Sequence, residues 1–162
     1  MAQIHQLRPI REAPIPGARI LLIEARYQEA ISDELVAGAI ARLEAAQVEF
    51  EHIRVPGALE IPIAAAIALD TAARASRPFD GLIALGCVIR GETAHFDIVS
   101  GESARALMDL GVARRMPIGT GILTVETEAQ AMVRAKRSEG DKGGEAASAA
   151  LALVRIARAG LK

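Results

Sequence analysis

The sequence predicts an α/β fold: a single-domain three-layer α/β/α sandwich around a four-stranded parallel sheet. Short β-rich runs alternate with longer Ala-rich segments of helical spacing four times along the chain, the pattern of βαβ units. Three of the four strand segments are nearly continuous apolar runs, as strands become when helices cover both faces. Aromatics are only 2% of the chain, namely Tyr27, Phe50, Phe79 and Phe96, with no Trp. The core must therefore be Ala, Ile, Leu and Val, which suits closely packed helices over a thin sheet. At 162 residues the chain is one domain, long enough to bury roughly 70% of its unfolded surface.

Residues 1–17, with His5, Pro14, Pro16 and Gly17, read as an extended N-terminal arm with room for one short strand. Such an arm needs a surface to lie on, which points to a neighbouring subunit. Residues 18–162 form the α/β domain. The strands are expected at residues 19–24 (RILLIE), 49–55 (EFEHIRV), 81–88 (GLIALGCV) and 118–124 (IGTGILT). Residues 32–46 place Leu35, Val36, Ala39, Ile40 and Leu43 on one helical face, and residues 61–74 and 96–110 show similar spacing. A short helix precedes the charged, glycine-rich stretch 134–145. Residues 142–159 carry Ala146, Ala150, Leu151, Leu153, Val154 and Ala157 on a closing C-terminal helix.

Composition narrows the function. Hydrophobic residues are 51% and charged residues 24%, with net charge −1, which argues against a disordered chain or a general nucleic-acid binder. An anionic ligand must then be held by a local site. The single Cys87 cannot form an internal disulfide, and MAQIHQLRPI lacks the apolar segment of a signal peptide. The longest apolar stretches, 61–69 and 82–89, are far too short for a bilayer. A soluble cytoplasmic protein without membrane contact is expected.

In an open α/β sheet, ligands bind beyond the carboxyl ends of the strands. The richest loop there is VIRGETAHFD, residues 88–97, where Gly91 allows a tight turn and Glu92 and Thr93 lead into a helix. Free N–H groups at a helix start together with a Thr hydroxyl suit phosphate, although the same residues serve equally as a turn and an N-cap. The spacing is not that of a Walker loop. His95 stands in the first turn beside this anion site, and an imidazole titrating near pH 6.5 in water is suited to proton transfer. His5 and His52 read as structural, and no His pair has zinc-ligand spacing with Cys or a carboxylate, so no metal is expected.

In VPGALEIP, residues 55–62, Pro56 and Gly57 turn the chain and Ala58 permits close approach to the backbone. Glu60 at a helix N-terminus either complements the dipole or accepts hydrogen bonds from a polyhydroxylated ligand. Arg134, in the stretch RAKRSEGDKGGE, is either a solvated charge or a second phosphate clamp, because a guanidinium matches phosphate bidentately. Gly140 reads as a helix stop and Lys142 as the start of the last helix. Cys87 inside an apolar strand reads as a small hydrophobe rather than a nucleophile.

The ordered set ARYQEAI (25–31), VPGALEIP (55–62), GCVIRGETAHFDIV (86–99), PIGTGILTVETEAQA (117–131) and GDKGGEAA (140–147) resembles the 6,7-dimethyl-8-ribityllumazine synthase family from about residue 17 to the C-terminus. The resemblance implies a flavodoxin-like sheet and a transferase of riboflavin biosynthesis. Its members join 5-amino-6-(ribitylamino)uracil to 3,4-dihydroxy-2-butanone 4-phosphate, release phosphate and water, and use no metal or organic cofactor. It further implies proton transfer by His95 and a phosphate clamp of Glu92, Thr93 and Arg134. Tyr27, Ala58, Leu59, Glu60, Val88, Ile89, Thr120 and Lys142 would then surround the pyrimidine and ribityl chain, with Arg134 and Lys142 coming from the neighbouring subunit.

Small-molecule substrates and a homopentamer, extended in some members to a 60-mer icosahedral shell, are implied in the same way. Two positions depart from the family pattern. Tyr27–Gln28 replaces its aromatic–Asn pair, and Thr120 stands where it carries Phe. A non-catalytic flavin- or pyrimidine-binding, shell-forming paralogue and an archaeal-type riboflavin synthase are the alternatives; four retained polar residues, His95, Arg134, Glu60 and Lys142, argue against pure binding.

Overall fold

The computed structural model describes residues 11–160. Nine elements follow one another: β1 (Arg19–Ala25), α1 (Glu29–Ala45), β2 (Glu49–Val55), α2 (Glu60–Arg74), β3 (Gly81–Ile89), α3 (His95–Arg114), β4 (Ile118–Val125), α4 (Glu128–Ala135) and α5 (Lys142–Ala159). The four strands form one parallel sheet in the order β2-β1-β3-β4, so the three-layer, flavodoxin-like α/β/α architecture expected from the sequence is the one observed.

Alternation along β1 divides the core into two layers. Ile20 and Leu22 face α1, α4 and α5, where Leu35, Leu43, Ala147, Leu151 and Val154 are buried. Leu21, Ile23 and Ala25 face α2 and α3, with Ile61, Ala65, Leu69 and Leu107. All of β1 from Ile20 to Ile23 is fully buried, which is why it reads as an unbroken apolar run. The edge strand β2 keeps Glu49, Glu51, His52 and Arg54 exposed and Phe50, Ile53 and Val55 partly covered, an alternation broken at Glu51–His52. At the other edge Gly119, Gly121, Leu123 and Val125 of β4 are covered, whereas Thr120 and Thr124 face outward.

Element ends depart from expectation by a few residues. Helix α1 begins at Glu29, three residues before residue 32: Gln28 is extended and makes no side-chain cap, and only the acid in the first turn marks the start. Helix α3 runs on to Arg114 and stops where Arg115 turns left-handed at φ 50°. Thr127 caps α4 by accepting from the Gln130 N–H, and Asp141 caps α5 by accepting from the Gly144 N–H. Helix α4 ends at Ala135, before Gly140, whose N–H folds back to donate to the Val133 carbonyl. The arm holds no strand over residues 11–17. Those residues lie on this chain's own α5: Arg155 binds Glu12 (3.1 Å) and the Ala13 carbonyl, Arg158 donates to the Pro16 carbonyl, and Ile15 is buried. The arm expected to lie on a neighbour spans residues 1–17, of which residues 1–10 fall outside the described residues.

Two glycines allow α5 to pack tightly. A Cβ at Gly143 would stand 1.9 Å from the Leu35 carbonyl oxygen of α1, and one at Gly119 would stand 1.9 Å from the Ala146 oxygen. Backbone cannot yield as a flexible side chain does. Gly143→Ala is therefore expected to lose about 1–3 kcal/mol of stability, read as a lowered thermal midpoint. Gly101→Ala, with nothing within 4 Å in an exposed helix interior, should raise the midpoint instead. Equal midpoints for the two variants would contradict this packing.

Candidate active site

The strand order reverses between β1 and β3, because β2 lies on one side of β1 and β3 on the other. A crevice opens beyond the carboxyl ends of the strands at such a point. It holds a cavity of about 660 Å³, lined after β1 by Ala25, Tyr27 and Gln28, after β2 by Gly57, Ala58, Leu59 and Glu60, and from β3 into α3 by residues 87–91, Thr93, His95, Phe96 and Val99.

Each segment is set by local structure. The turn after β1 is tied to β2 by the Arg26 N–H, which donates to the Val55 carbonyl at 3.2 Å. After β2, the Glu60 and Ile61 N–H groups donate to the Gly57 and Ala58 carbonyls and wind the chain into α2, which leaves Glu60 exposed at the helix start. After β3, α3 begins at His95, so the positive end of its dipole lies at the loop 90–94. The His95 N–H donates to Thr93 Oγ1 at 3.3 Å, and His95 is itself exposed to the cavity.

The loop is stiffened from outside. Arg90 Nε forks to both oxygens of Glu126 at 3.1 and 3.0 Å, and its guanidinium lies 4.1 Å over the Phe96 ring. The hydrogen bond to Glu126 raises the Arg90 guanidinium above its ordinary value. Arg90 thus joins the ends of β3 and β4 to the first turn of α3. The cavity offers an imidazole, a hydroxyl at a helix start, a carboxylate and an exposed phenol around an apolar floor. That set suits an anionic, hydroxylated, planar ligand and proton transfer. Among the described residues no group of three His, Cys, Asp or Glu side chains is placed to hold a metal ion, and no helix is long and apolar enough to cross a membrane.

Comparison with known proteins decides the family. The family model described as 6,7-dimethyl-8-ribityllumazine synthase matches residues 17–158. The chain belongs to this family. A 6,7-dimethyl-8-ribityllumazine synthase of Azorhizobium caulinodans is 62% identical over 149 residues, which cover 92% of each chain. One from Xanthobacter autotrophicus is 62% identical over 146 residues, 90% of this chain and 88% of the relative. One from Rhodopseudomonas palustris strain BisA53 is 55% identical over 158 residues, 98% and 97% of the two chains.

In this lumazine synthase-family chain, Tyr27, Ala58, Leu59, Glu60, Val88, Ile89, Thr93 and His95 line one cavity. Glu92 is exposed in the same loop. Three residues of the expected set lie elsewhere on the chain. Arg134 is exposed on α4 and donates to the Gln130 carbonyl of its own helix; Lys142 pairs with Glu145 at the start of α5; Thr120 borders a separate groove between α3 and α5. Arg90, Phe96, Gln28 and Cys87 line the cavity but were not among the expected site residues. As the cation beside Gly91 in the loop, Arg90 was the one with a signal. The Gln28 Oε1 is buried without a hydrogen-bond partner among the described residues.

Cys87 is half buried, and desolvation pushes its thiol up to about 11. A neutral thiol at physiological pH is no nucleophile. In the folded protein Cys87 should resist iodoacetamide at pH 8.5 and react as pH approaches 11, while the denatured chain reacts readily at pH 8.5. Because ionisation is harder in the fold, this thiol also costs stability as pH rises from about 9 through 11. Equal alkylation rates for folded and denatured protein at pH 8.5, followed by mass spectrometry, would contradict the assignment.

Proposed function

We propose that this cavity is where 5-amino-6-(ribitylamino)uracil and 3,4-dihydroxy-2-butanone 4-phosphate meet. The chain is a transferase of riboflavin biosynthesis that condenses the two to 6,7-dimethyl-8-ribityllumazine with release of phosphate and water. The observation that carries the site reading is the convergence of Tyr27, Glu60, Thr93 and His95 on one cavity at the strand-order reversal. Tyr27 stacks on the pyrimidinedione while Val88 and Ile89 contact its edge. Ala58, Leu59 and Glu60 take the ribityl chain, with the Glu60 carboxylate accepting from its hydroxyls. Phosphate sits at the start of α3 against Glu92 and Thr93.

The reactants bring their own functional groups. The amine of the pyrimidine attacks the ketone of the butanone and one water leaves as the imine forms; phosphate is then eliminated, and the ribitylamino nitrogen closes the ring on the remaining carbonyl with loss of a second water. No covalent bond to the protein is needed, so holding both reactants in register supplies much of the acceleration. His95 moves protons during imine formation and phosphate departure, a contribution of about a hundredfold to ten-thousandfold.

A single chain leaves the anion site short of cations. Arg134 and Lys142 reach it from a neighbouring subunit in a ring, and Thr120 of that neighbour borders it. Support comes from the apolar surface left open: Ile63 and Ile67 on α2, Ile98, Met108 and Val112 on α3, and Ile156 on α5 are all more than half exposed. A groove of about 550 Å³ beside Thr120 runs between α3 and α5. A homopentamer, with or without a 60-mer shell, buries these surfaces. With a single half-buried cysteine and no disulfide to protect, the reaction suits the cytoplasm.

Mixing the purified protein with both substrates should generate the absorbance and green fluorescence of the lumazine. Folded protein that yields none from verified substrates would overturn the reading. His95→Ala should slow turnover by about a hundredfold or more yet leave it measurable. Arg134→Ala should raise KM for the butanone phosphate while sparing KM for the pyrimidine, and an unchanged KM would remove Arg134 from the clamp.

A further inference from the structure

One buried charge has no part in this chemistry. The Glu24 side chain is wholly inaccessible, near the end of a strand whose residues from Ile20 to Ile23 are all buried and apolar. Its Oε1 accepts from Arg54 Nε at 3.0 Å and lies 3.0 Å from His52 Nε2, both on β2. Arg26 Nη1 reaches both its oxygens, at 3.3 and 3.1 Å, and Arg26 Nη2 donates to Asp33 of α1. One carboxylate therefore joins the carboxyl ends of β1 and β2 to the first helix.

A carboxylate in such a place is not what stability alone would select. Removing it from water carries a desolvation cost that its partners must offset, and apolar residues in place of buried ion pairs are often as stable or more so. Position explains it better. The two segments it ties together continue directly into the cavity: Arg26 precedes Tyr27 and Gln28, and the Val55 carbonyl that receives the Arg26 N–H precedes Pro56 to Glu60. The loop after β3, with Thr93 and His95, is untouched by this network.

We infer that Glu24 is a positioning residue for the pyrimidine side of the site: acting through Arg26 and Arg54, it sets the spacing between Tyr27 and the Ala58–Glu60 turn. The inference rests on the substrate placement proposed above. It makes the site two mechanical halves, one for the ribitylated pyrimidine and one for the phosphate.

The test is steady-state kinetics of Glu24→Leu with each substrate varied in turn, beside thermal melting of the same assembled protein. Freed of Glu24, Arg26 and Arg54 turn to solvent, which their side chains already reach in part. The thermal midpoint should hold or rise. KM for 5-amino-6-(ribitylamino)uracil should increase about tenfold, with kcat and KM for the butanone phosphate within about twofold of the parent. Glu24→Gln, which keeps an acceptor oxygen in place, should recover part of that loss.

Unchanged KM for the pyrimidine, or parallel losses for both substrates together with a lowered midpoint, would overturn the inference. Should Glu24→Leu fail to fold, Arg26→Gln at the open end of the network must show the same split, and its absence is equally decisive. Turnover by the parent protein separates the two questions: without it the functional reading falls, and with it the variants judge Glu24 alone.

Discussion

The site depends on a single topological constraint, the reversal of strand order at β1. Chain leaving β1 crosses to β2 on one side, and chain leaving β2 must cross back past β1 to reach β3. Helices α1 and α2 therefore depart to opposite faces of the sheet, and the carboxyl edge between β1 and β3 is left open. Three loops border that opening, and each brings a different chemistry: a phenol after β1, a carboxylate at a helix start after β2, an imidazole and hydroxyl at a helix start after β3. Gly143 and Gly119 let α5 settle close against α1 and β4 on the far face, so the rigid frame beneath the opening is built from backbone contact.

A site so sparse fits a reaction whose partners carry their own nucleophile and leaving group. What the protein must supply is register between two bound molecules and a few proton transfers. The loops are accordingly braced. Arg90 pins the anion loop to Glu126 and to the Phe96 ring, while the Glu24 network braces the two segments opposite. The apolar surface on α2 and α3 and the cations placed away from the cavity give the same message about assembly: the proposed ring both covers exposed Ile and Val and brings positive charge to the phosphate.

Much of this was legible in the sequence because the signals were local. Unbroken apolar runs at β1 and β3 announced a sheet covered on both faces, and VPGALEIP and VIRGETAHFD marked the loops that line the cavity. Where signals were weak or distant, the reading fell short. Gln28 carries no side-chain cap, so α1 was expected three residues late. The placement of residues 12–16 depends on Arg155 and Arg158, some 140 positions away in the chain. Glu24 looks like an ordinary polar strand end until the register sets Arg54 beside it and His52 two residues earlier. The Arg90–Phe96 stack likewise needs the turn at Gly91 to bring its members together.

In the proposed ring each reaction centre takes its imidazole from one protomer and its guanidinium from the next, and subunit mixing tests this most directly. His95→Ala and Arg134→Ala chains, dissociated together and reassembled in equal amounts, should regain activity well above either parent variant. In a ring with random neighbours, about one quarter of the centres then hold both intact groups. Activity equal to the mean of the two separate variants, in assemblies proven to be mixed, would contradict shared centres.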